Sequence, residues 1–305
     1  MNVTGEWRGF LLIVLAASLW GVAGTAAKHL FNQQVSPFEL VEVRLTLSFA
    51  FLFVYLAVVN RPLLKVSRAD LPYLLVFGSC GVAAVQFTYL YTISQTNVAT
   101  AVFLQYLAPM LVALYGMVFL KERPGLYKLL ALFLAVGGGF LIVKGHPGGG
   151  LAVNPAGLTG GLASALTFAF YTLYGKKGLA RLNSWTMLVY GFGAGALAWS
   201  LYIPPWQAAA GHSLLTWLFF LYIAVFATIL PFGFFFKGLQ YLHPVKAGII
   251  STLEPVVAAA VAWLVLQETL LPLQMLGGAL VCVAVILVQA APHQAETDRS
   301  TSLET

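Results

Sequence analysis

The sequence predicts an all-α membrane protein of ten transmembrane helices, arranged as two inverted five-helix repeats around a central cavity. Hydrophobic residues make up 60% of the 305 residues and charged residues only 9%, with a mean hydropathy of +0.87. A soluble chain of this length could not bury so much apolar surface and keep a polar exterior. The apolar residues are gathered into long runs, and one residue pattern occurs twice.

Each apolar run is long enough to cross a bilayer as a helix, which takes about 20 residues. Runs of this length with aromatic residues at both ends indicate helices, because barrel strands would alternate over about ten residues. In chain order, the predicted spans 1 to 10 cover residues 8–29, 37–59, 71–92, 98–120, 126–143, 156–178, 184–202, 213–236, 246–266 and 272–290.

The distribution of positive charge predicts the orientation in the membrane. With ten spans and a cytosolic N-terminus, 13 of the 16 Lys and Arg residues lie in cytosolic segments. Lys28 and Lys144 lie on the outer side, and Arg44 lies within span 2. Cytosolic segments of membrane proteins carry such an excess of cations. We therefore expect a multi-pass protein of the plasma (inner) membrane with both termini in the cytoplasm, and we interpret the net charge of +6 as topology, not nucleic-acid binding.

The repeated pattern is a proline midway along a span, followed by a glutamate. Pro109-x12-Glu122 starts in span 4, and Pro255-x12-Glu268 starts in span 9. Five spans per unit is an odd number, so the second unit enters the membrane upside down. The predicted repeats are residues 1–147 and 152–290, joined by the glycine-rich segment 144–150 and followed by a polar tail, 291–305, which we expect to be disordered in the cytoplasm.

An inverted repeat predicts a site near the midplane, which each unit can expose by rocking against the other. Glu254, deep in span 9, is the strongest candidate, since an intramembrane carboxylate should face a cavity or a partner. Its counterpart in the first unit is Ala108. Pro109 and Pro255 each free a backbone carbonyl, near residues 105 and 251, and are candidate hinges; plain structural kinks are the alternative.

Further candidates for substrate binding are polar or aromatic residues at membrane depth. Arg44 can hold a substrate carboxylate, or it can form an internal salt bridge that fixes helix packing. Amides inside a membrane usually face the bundle interior. Tyrosines at these depths can instead be ordinary packing residues. A wider group of polar and aromatic residues in spans 1, 3, 4 and 6 also includes Gln95, Tyr106 and Tyr174. The predicted substrate-binding set is Trp20, Arg44, Gln86, Tyr89, Gln105, Tyr171 and Glu254.

The sequence indicates neither a metal site nor a cofactor. Cys80 and Cys282 fall inside apolar spans, where we expect small core residues and not a disulfide or a metal pair. No His/Cys/Asp cluster and no phosphate-binding glycine loop is visible. The partners we expect are a small-molecule substrate and the lipid bilayer, with the protein acting as a monomer.

Two motifs and one charged residue resemble a known family. Ala-x5-Leu-x-Pro-x12-Glu occurs at 101–122 and again at 247–268, with Leu19-Trp20-Gly21 in span 1 and Arg44 in span 2. These features resemble the EamA family of the drug/metabolite transporter superfamily. The resemblance implies ten helices in two inverted units, a cavity lined largely by spans 1, 3, 4, 6, 8 and 9, and peripheral spans 5 and 10. Members of the family move amino acids, other small metabolites and drugs.

We therefore expect a secondary transporter, not an enzyme, that exports small metabolites such as amino acids by alternating access. A multidrug or cationic-compound exporter is the nearest alternative. A channel would need a filter or a ring of charge, and an intramembrane enzyme would need a catalytic pair at one depth.

Overall fold

The computed structural model of the chain describes residues 3–122, 125–144, 154–266 and 271–290. These residues form helices joined by short connections, and the described part contains no strand. The joint at 145–153, Glu268 and the tail at 291–305 lie outside the described residues.

Nine helical stretches in the described ranges are long and apolar enough to cross a membrane. Ser184–Ser200, with 17 residues, supplies the remaining predicted span. The predicted fold class is thus confirmed. The α-helices are α1 Val3–Asn32, α2 Pro37–Val59, α3 Leu71–Val76, α4 Ala84–Gln95, α5 Val98–Gln105, α6 Ala108–Phe119, α7 Leu126–Lys144, α8 Pro155–Gly178, α9 Ser184–Ser200, α10 Pro205–Ala208, α11 Leu214–Ala224, α12 Leu230–Tyr241, α13 Pro244–Ser251, α14 Glu254–Leu266 and α15 Pro272–Ala290.

Four of the ten spans are interrupted, and the interruptions match between the two units. Span 3 runs α3, a π-helix at Phe77–Ala83, then α4; span 8 runs α11, a π-helix at Val225–Ile229, then α12. Span 4 breaks between α5 and α6, and span 9 breaks between α13 and α14. A π-helix inside an α-helix is rare and often marks a functional site. Its presence at corresponding places supports duplication independently of residue identity.

The breaks lie just before the two prolines and not at them. Tyr106 and Leu107 separate α5 from α6, and Thr252 and Leu253 separate α13 from α14. Pro109 and Pro255 are then the second residues of α6 and α14. Proline is well tolerated in the first helical turn, where its missing N–H has no intrahelical acceptor. Each span therefore contains two short helices instead of one kinked helix.

Lysines at matched positions of spans 1 and 6 cap the C-terminal ends of spans 3 and 8. Lys28 Nζ donates to the carbonyl oxygens of Ile93 at 3.1 Å and Thr96 at 2.9 Å, at the end of α4. Lys176 Nζ donates to three carbonyls at the end of α12, the nearest being that of Leu239 at 2.6 Å. A cation at a helix C-terminus satisfies carbonyls that lack intrahelical partners.

The two units interleave instead of packing side by side. α1 of the first unit packs on α12 and α14 of the second, and α8 of the second unit packs on α4 and α5 of the first. α7 packs on α15, where Gly138 and Gly277 bring the two backbones together. Spans 5 and 10 thus form a pair at the edge of the bundle, as the family resemblance implies. The centre is bounded by helices from both units.

Candidate functional site

A cavity lies among the central helices of both units. Its volume is about 40 Å³, measured as the space open to the centre of a water molecule. Spans 1, 3, 4, 6, 8 and 9 line it, as the resemblance implies, and span 2 adds Arg44. The lining residues are Trp20, Arg44, Val85, Gln86, Tyr89, Gln105, Tyr106, Phe168, Phe232 and Glu254.

Glu254 lies where the breaks of spans 4 and 9 meet. It is the first residue of α14 and is only 5% exposed. Its Oε2 accepts a hydrogen bond of 2.7 Å from the hydroxyl of Tyr106, which lies in the break of span 4. The Tyr89 hydroxyl is 3.5 Å from Oε1, a much weaker contact. The carboxylate is stabilised by the helix N-terminus and one good donor, and no cation in the described chain forms an ion pair with it.

Arg44 enters the cavity from α2 and is held by the π-helix of span 8. Its Nε donates to the Thr228 hydroxyl at 2.5 Å, and its Nη2 donates to the Ala227 carbonyl at 2.7 Å. The guanidinium also lies 5.9 Å from the ring centre of Phe232. Because π-helical bonding skips an extra residue, it leaves backbone carbonyls open to other donors. Across the described residues, Arg44 forms no ion pair with a carboxylate, so the predicted internal salt bridge is absent there.

The two glutamines of the cavity differ in their partners. Gln105 Nε2 donates to the Ser164 hydroxyl at 3.0 Å and so links α5 to α8. Gln86 is 2% exposed, and its Nε2 has no hydrogen-bond partner in the described part of the chain. A buried donor without an acceptor costs about 1–3 kcal/mol. Gln86 is therefore the polar group of the cavity most in need of a ligand.

Aromatic rings and Val85 form the rest of the wall. Trp20 meets Phe232 edge to face at 5.1 Å between ring centres. Tyr171 lies outside the lining, wholly buried behind it against Phe168 and Phe232, and its hydroxyl has no partner in the described residues. Its predicted contact with substrate stays untested; in this conformation it is a packing residue of the second layer.

Three lining residues with large side chains were not among the predicted ligands. Tyr106 forms the shortest contact to Glu254, yet it belonged only to the wider polar and aromatic group and not to the predicted substrate-binding set. Its position next to Gln105 and just before the Leu-x-Pro motif was the available signal. Phe168 and Phe232 carry no polar group, and nothing in an apolar run distinguishes a cavity phenylalanine from a core phenylalanine.

The predicted hinge residues lie beside the cavity and not in its wall. Pro109 touches α13 near Gly248, where an added Cβ would come within 2.9 Å of the proline ring. Pro255 borders a second, apolar space of about 10 Å³, which Tyr106 also borders. Both prolines thus sit at contacts between spans 4, 5 and 9, and their role as hinges stays a prediction.

Metal ligation finds no support in the described residues, where no group of three His, Cys, Asp or Glu side chains converges. Cys80 and Cys282 are free thiols, and both are exposed. The expectation that they are small core residues is therefore wrong; in a membrane protein the outer surface of a span is apolar and accommodates a thiol equally well.

Comparison with known proteins decides the family. The model of the EamA-like transporter family matches residues 7–144 and again 155–290. The chain belongs to the EamA-like transporter family. It is 30% identical to the inner membrane transporter YicL of Salmonella typhimurium, over 92% of this chain and 95% of the relative. The two matched segments correspond to the two units of interrupted spans.

Two further comparisons agree with an EamA-like membrane transporter. The threonine/homoserine exporter RhtA of Escherichia coli is 27% identical, with 87% of this chain and 85% of RhtA covered. A solved crystal structure superposes with a TM-score of 0.75 at 17% identity, covering 94% of this chain and 96% of the other; at that identity the likeness concerns the fold. These sequence relatives are named as transporters, and the chain is a multi-pass membrane transporter.

Proposed function

We propose that this EamA-like transporter exports small zwitterionic metabolites, amino acids above all, by alternating access. The observation that carries the proposal is the presence of Glu254 and Arg44 in one cavity without an ion pair between them. The proposed working state is a monomer in the plasma membrane with both termini in the cytoplasm.

An unpaired charge at membrane depth is costly and usually functional. Here each of the two opposite charges is held by neutral groups, Glu254 by Tyr106 and Arg44 by Thr228 and Ala227. A zwitterion would supply both missing partners at once, with its ammonium group at Glu254 and its carboxylate at Arg44. Such charge-assisted hydrogen bonds are about twice as strong as neutral ones.

The two units differ in their charged residues, and this difference supports separate sites for the ammonium group and the carboxylate. Glu254 corresponds to Ala108 in the first unit. Counting from the N-caps Ser36 of α2 and Asn183 of α9, Arg44 corresponds to Gly191. Each unit therefore contributes one charge, of opposite sign, to a cavity that both units line. Opening the contact between units would separate the two charges and release a substrate that bridges them.

The cavity volume supports a transporter in a closed conformation. A buried water needs about 10–15 Å³ on this measure, so about 40 Å³ holds a few waters and no metabolite without movement. The broken helices beside the cavity are the kind of element that inverted-repeat transporters place at their substrate sites. The RhtA relative, named as a threonine/homoserine exporter, supports amino acids as the substrate class.

Counterflow in proteoliposomes tests the proposal. Proteoliposomes that contain the purified transporter are loaded with unlabelled L-threonine, and the uptake of labelled L-threonine is followed. Two analogues are added as competitors: 1-amino-2-propanol, which lacks the carboxylate, and 3-hydroxybutyrate, which lacks the amine. We expect uptake and competition by amino acids, with at least about tenfold weaker competition by either analogue, since a charge-assisted hydrogen bond contributes about 1.5–3 kcal/mol.

The same experiment addresses the cationic-compound alternative. The cavity that contains Glu254 is also lined by five aromatic residues, Trp20, Tyr89, Tyr106, Phe168 and Phe232. Aromatic rings with a carboxylate favour organic cations. Arg44 disfavours them by repulsion. If 1-amino-2-propanol competes as well as L-threonine, the zwitterion proposal is wrong and the cation exporter is the better description.

A further inference from the structure

Gln86 is the polar side chain of the cavity that the fold does not use. It lies on α4, lines the cavity and is only 2% exposed. Its Nε2 finds no acceptor among the described residues. Neither Glu254 nor Arg44 forms a hydrogen bond with it. Glu254 accepts from Tyr106 and, weakly, from Tyr89, and Arg44 donates to Thr228 and Ala227.

Gln105 shows what a structural amide looks like in the same cavity. Its nitrogen donates to Ser164 at 3.0 Å, so removing it would break a contact between α5 and α8. Gln86 makes no comparable contact through its nitrogen. Of the two glutamines, Gln86 is therefore the one whose hydrogen-bonding capacity remains for a ligand.

The position of Gln86 relates it to the proposed ammonium site. Gln86 and Tyr89 are three residues apart on α4, so they share a face about 4.5 Å apart along the axis. The Tyr89 hydroxyl is 3.5 Å from Glu254. Glu254, Arg44 and Gln86 line one cavity. A zwitterion whose ammonium group pairs with Glu254 and whose carboxylate pairs with Arg44 has only its side chain left to pair with Gln86.

We propose that Gln86 is a specificity-determining residue that selects amino acids whose short side chain carries a hydroxyl group. This inference rests on the proposed function. An amide can turn about its last side-chain bond and present its nitrogen or its oxygen, and a hydroxyl can pair with either because it both donates and accepts. An apolar side chain of the same size would leave the buried amide unpaired, which is how polar sites reject apolar analogues.

L-threonine and L-valine are the matched probes, since they differ by a hydroxyl in place of a methyl group. Their affinities for the purified, full-length transporter are measured by isothermal titration calorimetry. We expect the wild type to bind L-threonine about 5- to 150-fold more tightly than L-valine, the range that one unpaired buried polar group produces. In Gln86→Leu, the ratio should fall to about one, with L-valine binding at least as tightly as in the wild type.

A control on the same helix separates selection from damage to the fold. Gln95→Leu makes the same change at the end of α4, where the Gln95 amide contacts Ser94 and lies outside the cavity. It should keep the wild-type ratio. Gln86→Met, with an unbranched side chain of similar length, provides the test if the leucine variant does not fold. The affinity ratio is taken within one protein, so it does not depend on yield.

Each outcome decides between this inference and the proposed function. If the wild type binds both amino acids with equal affinity, Gln86 selects nothing, while zwitterion transport stands. The inference is also overturned if Gln86→Leu keeps the preference for L-threonine. If the wild type binds neither amino acid, the proposed function falls and this inference falls with it.

Discussion

Gly21 offers a sharp test of the contact between α1 and the helix that carries Glu254. A Cβ added at Gly21 would lie 2.7 Å from the carbonyl oxygen of Glu254 and 3.1 Å from the backbone nitrogen of Ala258. Both are main-chain atoms of the first turns of α14, so neither can rotate away. Ordinary contact distances start at about 3.5 Å, so Gly21→Ala requires α1 and α14 to separate by about 0.8 Å.

The expected cost follows from overpacking. Forcing an extra carbon into a packed contact costs about 1–3 kcal/mol, and the better helix propensity of alanine returns up to about 1 kcal/mol. We expect a net loss of stability of about 1–2 kcal/mol. Because the displaced turn carries Glu254 away from its 2.7 Å contact with Tyr106, transport should fall about tenfold or more.

Gly137→Ala is the matched control. Gly137 also lies inside a spanning helix, but a Cβ there would meet no atom within 4 Å. Its thermal unfolding temperature should be unchanged or raised, and its transport should equal that of the wild type. Unfolding is measured on the purified protein and transport in proteoliposomes. If Gly21→Ala matched Gly137→Ala in both measurements, the close approach of α1 to α14 would be refuted.

Three further predictions concern the site and its border. Glu254→Gln should fold normally, because an amide oxygen still accepts a hydrogen bond from Tyr106. Its transport rate should nevertheless fall at least about tenfold, since the charge is lost. Wild-type transport rates at every tested pH would remove Glu254 from the mechanism. Tyr106→Phe should reduce transport about 10- to 100-fold and Tyr89→Phe only a few-fold. The reason is that the Tyr106 hydroxyl lies 2.7 Å from the Glu254 carboxylate and the Tyr89 hydroxyl 3.5 Å from it. Equal losses in the two variants would contradict this order. At the border, burial lowers the pKa of His243, and Lys128 and Lys176 lower it too, against the opposing effect of Glu122, which lies 3.5 Å away. Folding therefore favours the neutral form of His243, so stability should be full above about pH 6.5 and decline as the pH falls below that value. His243→Asn keeps a capping side chain, and its unfolding temperature should fall less on acidification. An identical decline would exclude His243 as the cause.

The spans and the duplication were predictable because both depend on local composition and spacing. Glu254 and Arg44 were predictable as candidates because ionised groups are rare at membrane depth. The contact of Tyr106 with Glu254 and the π-helix that binds Arg44 were not, since a tyrosine in an apolar run has many uses and π-helical bonding has no simple residue signature. Tyr171 was chosen for its chemistry, and only its surroundings separate a cavity tyrosine from one buried behind the wall.

By itself, the sequence determined that the chain is an all-helical membrane protein built from one unit twice, with a carboxylate, Glu254, that its counterpart Ala108 lacks. Hydropathy and residue spacing are sufficient for that, because a helix in lipid satisfies its own backbone. Which faces meet was decided only by the tertiary structure. A span that is apolar on all sides has no polar face from which its orientation could be predicted. The interleaving of the two units, the meeting of Tyr106 with Glu254 and the unpaired amide of Gln86 therefore depend on packing between helices far apart in the chain.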